Sequence, residues 1–156
     1  MIKLTRIDDR LVHGQVAFTW TPALGVDCLL IANDKVAKDE FMKMTLGLAK
    51  PAGTKLLIKS IKDAAVFLNN EKSRNMKILL IINSVKDAYA LVNEVPEIRS
   101  VNFGGIRFTE GAKLISKAVA VNDEDINLIK ELLDKGIELE VRQVPTDKKQ
   151  MAGSLI

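Results

Sequence analysis

The residues best suited to chemistry lie together in the segment TRIDDRLVHGQV, residues 5–16. This segment contains His13, the only histidine of the chain, and an imidazole can act as a nucleophile, a general base or a metal ligand. The polar and glycine residues around it are Arg6, Asp8, Asp9, Arg10, Gly14 and Gln15.

The neighbours of His13 favour phosphoryl transfer over the other roles of an imidazole. Arg6 and Arg10 bring positive charge near the ring, which disfavours the imidazolium and keeps the ring neutral and nucleophilic. Guanidinium groups also suit bidentate contact with phosphate oxygens. Gly14 and Gln15 begin the next helix, so free backbone N–H groups and the positive end of the helix dipole face the same place. Together these features predict a phosphoryl acceptor at His13.

The roles of the two aspartates, and the alternative for His13, stay open at this point. Asp8 or Asp9 could hydrogen-bond one ring nitrogen and fix the tautomer. They could equally form salt bridges with Arg6 or Arg10 that shape the loop, and the two roles are compatible. His13 itself could be a polar loop residue that helps to cap the first helix.

Other chemistries have little support in the sequence. Zinc needs three or four ligands, and one histidine with Cys28 in a buried strand cannot supply them. There is no G-x-S-x-G motif, no Walker A motif and no G-x-G-x-x-G fingerprint. The net charge is +3, aromatic residues make up 4% of the chain, and basic and aromatic residues are not interleaved. We therefore expect no metal, no cofactor and no nucleic-acid partner.

Length and composition predict one globular domain over residues 1–156. This length matches a single domain, and 47% hydrophobic with 28% charged residues is ordinary for a globular protein. The N-terminus carries charge too early for a signal peptide, and no apolar run reaches the roughly 18 residues that cross a bilayer. These observations predict a cytoplasmic location.

Strand-like and helix-like segments alternate along the chain. The predicted strands are 2–7, 27–32, 54–60, 77–83, 100–105, 117–122 and 137–141. Predicted helices begin at Gly14, at Asn33 or Asp34, after Ser60, after Ser84 and at 123. This order predicts a three-layer α/β fold, with a mostly parallel sheet of about seven strands and helices on both faces. Ligands of such sheets bind at the carboxyl ends of the strands, which is where His13 lies.

Several local expectations follow from the same patterns. Pro22 should end or kink the first helix, and Trp20 lies on its apolar stripe, as is typical of the core. One helix should run from 34 to 50, with Ala37, Phe41, Met44 and Leu48 on its apolar face. Segment 137–141 alternates apolar and charged residues, which indicates an edge strand, possibly antiparallel. The tail from Thr146 should be a short helix or a frayed end.

The glycine pair in SVNFGG, residues 100–105, has two interpretations. Gly104 and Gly105 end a strand on the predicted functional edge, so they could let another loop or a partner approach closely. A plain strand-to-loop turn is slightly favoured.

At RIDDRLVHGQV the sequence resembles the IIB subunit of the mannose–fructose–sorbose class of the bacterial sugar phosphotransferase system (PTS). The resemblance continues in the same order through the segments ANDKVAKDE (32–40), VNFGGIRF (101–108), KAVAVNDEDI (117–126) and GIELEVRQVPTD (136–147). It therefore spans essentially the whole chain.

The resemblance implies a phosphocarrier with protein-Nπ-phosphohistidine–sugar phosphotransferase activity. A phosphorylated IIA subunit would pass its group to Nδ1 of His13, and the chain would give it to a sugar entering through the membrane subunits IIC and IID. Arg6 and Arg10 would support the phosphoryl group. The implied location is cytoplasmic, peripherally associated with the IIC–IID complex. Mannose, fructose, sorbose, glucosamine and N-acetylgalactosamine are all open as the sugar. The competing hypothesis is a module that senses phosphate or a phosphosugar without a covalent step.

Overall fold

The computed structural model of the chain describes residues 1–14 and 17–156, together with the backbone of Gln15 and Val16. The side chain of Gln15, one of the predicted site residues, lies outside the described residues. Among the helices so described, none is long and apolar enough to cross a membrane.

The elements follow the alternation expected from the sequence. The strands are β1 (Ile2–Asp8), β2 (Cys28–Ala32), β3 (Lys55–Lys59), β4 (Ile78–Ile82), β5 (Ser100–Gly105), β6 (Lys113–Leu114), β7 (Ala120–Val121), β8 (Glu138–Val141) and β9 (Gln150–Met151). The helices are α1 (Gly14–Leu24), α2 (Asp34–Ala37), α3 (Glu40–Leu48), α4 (Ile61–Leu68), α5 (Val85–Glu94) and α6 (Asp123–Asp134). Two 3-10 helices cover Glu71–Asn75 and Ala152–Ser154.

Seven strands form the main sheet, in the order β3-β2-β4-β1-β5-β8-β9. Every pairing in it is parallel except that of β8 with β9. Helices α1, α2 and α3 contribute to the apolar cluster on one face, and α4, α5 and α6 to the cluster on the other. The three-layer, mostly parallel α/β fold predicted from the sequence is confirmed.

The main sheet differs from the predicted one in two strands. Segment 117–122 is not part of it, because β7 pairs with β6 in a separate two-stranded sheet. The antiparallel edge strand is β9. The prediction of a helical or frayed tail from Thr146 is therefore wrong in part, and within this tail only Ala152–Ser154 is helical. Segment 137–141 was also wrongly placed at the edge: β8 pairs parallel with β5 and is covered on its other side by β9.

Two helix predictions also need correction. The helix predicted over 34–50 is two helices, because the Asp39 side chain accepts a hydrogen bond from the backbone N–H of Met42 and starts α3 afresh. After this break the predicted apolar face turns outward, and Phe41, Met44 and Leu48 are 70%, 62% and 85% exposed. Helix α1 passes through Pro22 and ends at Leu24, followed by Gly25 in the left-handed conformation. Pro22 therefore does not end the helix, and the kink stays a prediction.

One row of side chains crosses the sheet face that α1 covers, and its chemistry changes halfway. Its first half, on β3, β2 and β4, is apolar, and its second half, on β1, β5 and β8, is polar. In register order the row is Ile58, Ile31, Ile81, Arg6, Asn102 and Glu140. The last three residues are each 2% exposed or less, so the sheet carries a buried polar row that starts at the predicted site.

Candidate functional site

A tight, anchored loop joins β1 to α1 and presents His13. The backbone carbonyl of Asp8 accepts a hydrogen bond from the N–H of Leu11 at 2.9 Å, which closes a turn. Leu11 has φ +58°, a left-handed conformation that costs a leucine about 1 kcal/mol or more. Its side chain is buried beside that of Val12, and burial of a leucine contributes roughly 1.5–3 kcal/mol. Packing therefore holds the strained loop in one shape and fixes the position of His13.

His13 occupies the N-cap position of α1 without capping it. Its backbone carbonyl accepts the N–H of Ala17 at 3.1 Å, but its side chain makes no cap hydrogen bond. Gly14 is exposed, and a Cβ placed on it would meet nothing within 4 Å. The structure therefore gives no support to the capping alternative, and the space in front of the helix N-terminus is open at Gly14.

Asp8 is the residue that holds the imidazole. Its Oδ2 lies 2.9 Å from Nε2 of His13 and 3.2 Å from Nη2 of Arg6, and its Oδ1 accepts the backbone N–H of Arg10 at 3.1 Å. An ionised carboxylate only accepts hydrogen bonds, so Nε2 of His13 carries the proton in this contact. In the neutral ring, Nδ1 then has a free lone pair. The His13 side chain is 18% exposed, so the ring remains reachable.

Arg6 acts on His13 through Asp8. Its side chain is 2% exposed, and its Nη1 donates to Oδ1 of Asn102 at 2.8 Å and to the carbonyl of Arg142 at 3.1 Å. Its guanidinium also lies 5.4 Å from the ring centroid of Trp20. Burial lowers the pKa of Arg6, an effect that the charge and hydrogen bond of Asp8 oppose. The sequence suggested a guanidinium beside the phosphoryl group, whereas the structure places Arg6 behind the Asp8 carboxylate.

Gly104 is the residue that makes room for Arg6. A Cβ on Gly104 would lie 2.0 Å from Cζ of Arg6, far inside van der Waals contact. A Cβ on Gly105 would meet only Asp8, at 3.8 Å, which is an ordinary contact. Gly104 therefore makes room for a side chain of the adjacent strand β1, whereas the sequence suggested another loop or a partner.

Arg10 and Asp9 differ in how they are held. The guanidinium of Arg10 has no ion pair within the described part of the chain, and the residue is exposed at the mouth of the site. Asp9 instead accepts the backbone N–H and the Nε of Arg107 at 2.8 and 2.9 Å, and its own N–H donates to the carbonyl of Gly105. Asp9 thus ties the loop after β1 to the loop after β5. Among the described residues Arg10 forms no ion pair with an aspartate, so that alternative is wrong.

Between these loops lies a cavity of about 450 Å³ that opens to solvent at the carboxyl ends of β1 and β5. Its charged and apolar lining includes Arg6, Asp8, Asp9, Arg10, His13, Arg107, Phe108, Leu114 and Lys117. Sequence analysis did not identify Arg107 or Lys117 as site residues. For Arg107 the available signal was its position two residues after Gly105, at the same sheet edge as His13. Cations at the mouth with a nucleophile on the wall suit an anionic group.

Trp20 belongs to the core, as its place on the apolar stripe predicts. It is 1% exposed, and its Nε1 donates to the carbonyl of Gln143 at 3.0 Å. The guanidinium of Arg142 lies 5.1 Å from its ring centroid. Trp20 therefore packs between the site and the loop that follows β8, and it is not available as an exposed contact.

Comparison with known proteins is consistent with this geometry. Residues 2–156 match the family described as PTS system sorbose subfamily IIB component. The chain is 42% identical over 138 residues to a probable phosphotransferase enzyme IIB component of Streptococcus pyogenes, covering 85% of each chain. It is 35% identical over 147 residues to the sorbose-specific EIIB component of Lacticaseibacillus casei, covering 94% of this chain and 90% of that one.

Two further comparisons concern a longer relative and a solved structure. The chain is 38% identical over 156 residues to the mannose-specific EIIAB component of Escherichia coli, and it spans 48% of the length of that protein. The crystal structure of the IIBSor domain of the Klebsiella pneumoniae sorbose permease superimposes with a TM-score of 0.94 at 30% identity, covering 99% of this chain and 95% of that one. The chain belongs to the sorbose subfamily of PTS IIB components.

Proposed function

We propose that this IIB component carries a phosphoryl group on Nδ1 of His13 between a IIA donor and a sugar. The observation that supports this most directly is the 2.9 Å contact between Asp8 and Nε2, which leaves Nδ1 as the free nucleophile of the only imidazole in the chain. We also propose that residues 1–156 form a single IIB domain.

The first transfer is a displacement at phosphorus. The lone pair of Nδ1 forms a P–N bond while the P–N bond to the donor histidine breaks, and its electron pair stays on the donor ring. The imidazole of His13 gains positive charge as the bond forms, and the Asp8 carboxylate at Nε2 stabilises that charge. Asp8 is thus an orienting and a stabilising group, and it keeps its own charge throughout.

The second transfer reverses these roles. A sugar hydroxyl attacks phosphorus, an O–P bond forms, and the N–P bond returns its electron pair to Nδ1 of His13. The hydroxyl proton leaves to the surroundings. Phosphoryl transfer of this kind depends mainly on positioning and on charge stabilisation, which the anchored loop and the nearby cations can supply.

Arg10 is the side chain we assign to the phosphoryl oxygens. It is exposed at the cavity mouth, its guanidinium has no ion pair among the described residues, and its backbone N–H is fixed by Asp8. A guanidinium can hold two phosphoryl oxygens with parallel N–H donors. Arg6 supports the same site from behind, by holding Asp8.

The proposed partners are a IIA subunit, the membrane subunits IIC and IID, and a sugar acceptor. The E. coli relative named as an EIIAB component supports the IIA partner, since this chain matches 48% of its length. We place the protein in the cytoplasm, docked peripherally on the IIC–IID complex.

The test of this function is phosphoryl incorporation. Wild-type protein is incubated with phosphoenolpyruvate, the upstream carriers and IIA, and its intact mass is measured beside that of His13→Ala. We expect wild type to gain one phosphoryl group that is labile in acid and stable in base, while the variant gains none and melts at the same temperature. A phosphorylated His13→Ala protein, or a wild type that binds phosphate without gaining mass, contradicts the proposal.

A further inference from the structure

The charged residue Glu140 of β8 is buried, against the expectation from its strand. The alternation in residues 137–141 predicts that its charged side chains face solvent, yet Glu140 is 2% exposed. Its register partner on β5 is Asn102, whose register partner on β1 is Arg6. Glu140 therefore ends the buried polar row that begins beside the candidate site.

Hydrogen bonds connect this row without a gap. Oδ1 of Asn102 accepts from Nη1 of Arg6 at 2.8 Å, and its Nδ2 donates to Oε1 of Glu140 at 3.1 Å. Glu140 also accepts from Nη2 and Nε of Arg142, at 2.9 and 3.1 Å. Since Arg6 donates to Asp8, a continuous chain of contacts leads from Glu140 to the carboxylate that orients the imidazole.

Stability does not account for this arrangement. A buried ion pair contributes little to stability compared with well-packed apolar residues of similar volume. The other half of the same row is made of isoleucines, which pack without polar groups. The Nε of Arg6 is also buried without a hydrogen-bond partner within the described residues, which further lowers the stability of the folded chain.

The direction of each hydrogen bond in the row is determined by chemistry. A guanidinium only donates and a carboxylate only accepts, so the amide of Asn102 must turn its oxygen to Arg6 and its nitrogen to Glu140. Glu140 thereby helps to fix the orientation of Asn102, whose Nδ2 also donates to the carbonyl of Arg142 at 3.3 Å, and Asn102 in turn holds one end of the Arg6 guanidinium. The other end of that guanidinium holds Asp8.

We propose that Glu140 is a positioning residue for the transfer reaction, which acts through Asn102 and Arg6 to keep Asp8 on Nε2 of His13 and Nδ1 free. This inference rests on the proposed function for its effect on transfer. Its effect on the imidazole exists in the unphosphorylated protein and can be measured without any partner.

The test compares two charge-removing variants of the same strand, Glu140→Gln and Glu138→Gln. Glu140 accepts three hydrogen bonds, and a glutamine in its place offers one acceptor oxygen and turns an NH2 group toward a neighbouring donor. Within the described residues, Glu138 pairs only with the exposed Lys149, at 3.5 Å, so it controls for loss of charge. Because the chain has one histidine, ¹⁵N NMR of the ring nitrogens reports His13 alone.

We expect Glu140→Gln to lower the ratio of Nε2-protonated to Nδ1-protonated imidazole about threefold to tenfold. The kcat for transfer from phosphorylated IIA should fall by a similar factor with KM unchanged, and Glu138→Gln should match wild type in both. Equal tautomer ratios in wild type and Glu140→Gln would overturn the inference. If Glu140→Gln does not fold, Arg142→Lys is measured with the same expectation, because it keeps the charge and loses the two-donor contact to Glu140.

The outcome separates this inference from the proposed function. A wild type that accepts no phosphoryl group refutes the function, whereas the tautomer ratio in Glu140→Gln still decides whether Glu140 orients the ring. A wild type that accepts the group, with a ratio that Glu140→Gln leaves unchanged, refutes only the inference.

Discussion

Alanine substitution should strongly destabilise the chain at Gly104 and have little effect at Gly105, although the two glycines are adjacent in β5. In Gly104→Ala the new Cβ would lie 2.0 Å from Cζ of Arg6, 2.2 Å from Nη2 and 2.5 Å from Nε. To reach ordinary contact at 3.4 Å, the guanidinium would have to move by about 1.4 Å. It cannot swing into solvent, because the Arg6 side chain is 2% exposed and packs against Trp20.

A shift of that size breaks the hydrogen bonds of Arg6 to Asn102 and Asp8, which are 2.8 and 3.2 Å long. Overpacking costs about 1–3 kcal/mol, and a lost hydrogen bond to a charged group costs about 1.5–3 kcal/mol. We therefore expect Gly104→Ala to lower the free energy of unfolding by about 3–5 kcal/mol. For a chain of this length that corresponds to a fall in Tm of about 6–20 °C.

Gly105→Ala is the matched control, since its Cβ would stand 3.8 Å from the nearest atom. We expect it to change the free energy of unfolding by no more than about 1 kcal/mol. Urea unfolding of wild type, both variants and Gly104→Ala in an Arg6→Ala background completes the assay. In the Arg6→Ala background, Gly104→Ala should change the free energy of unfolding little, because the guanidinium atoms that the new Cβ would meet are absent. Equal stability of Gly104→Ala and Gly105→Ala would refute the placement of Arg6 against β5.

Three further predictions concern single side chains. Arg10→Lys should slow transfer from phosphorylated IIA by about one to two orders of magnitude at unchanged Tm, because the two-donor contact to the phosphoryl oxygens is lost. Rapid-quench transfer rates equal to those of wild type would show that Arg10 does not bind the phosphoryl group. Asp8→Asn should slow transfer about 100-fold or more and lower the free energy of unfolding by about 3–5 kcal/mol, because Arg6 loses its charged partner in the interior. Urea unfolding and transfer rates at wild-type values would exclude the role of Asp8 in holding His13 and Arg6. Cys28 is fully buried and burial raises the pKa of its thiol, so iodoacetamide should label it only on unfolding; fast labelling of the native protein would contradict the burial of β2.

The fold was predictable where the sequence pattern has a local cause. Apolar runs such as 77–83 predict strands covered on both faces, and Ser60 and Ser84 predict helix starts because their side chains accept backbone N–H groups three residues on. The position of His13 at the end of β1 follows from the same patterns. Each of these elements can be predicted from the sequence around it, without contacts to distant parts of the chain.

The rest depended on contacts between distant residues. The burial of Glu140 depends on Asn102 and Arg142, so the alternation in its strand wrongly suggested that Glu140 is exposed. The two residues of β9 are Gln150 and Met151, and so short a strand has no hydrophobic period.

The role of Gly104 likewise depends on a contact with a residue that is distant in the sequence. The contact that requires a glycine there comes from Arg6, 98 positions earlier in the chain. A pair of glycines at the end of a strand is equally typical of a turn, so only the packed structure distinguishes Gly104 from Gly105.

The proposed function requires Asp8 to hold Nε2 of His13 and to leave Nδ1 free for the phosphoryl group. The most direct measurement is ¹⁵N–³¹P NMR on protein labelled at its single histidine and phosphorylated through IIA. Because each ring nitrogen has its own chemical shift, the coupling to phosphorus identifies the nitrogen that carries the group. We predict coupling to Nδ1, with the proton retained on Nε2. Phosphorus on Nε2, or phosphorylation at a residue other than His13, would contradict the proposed function.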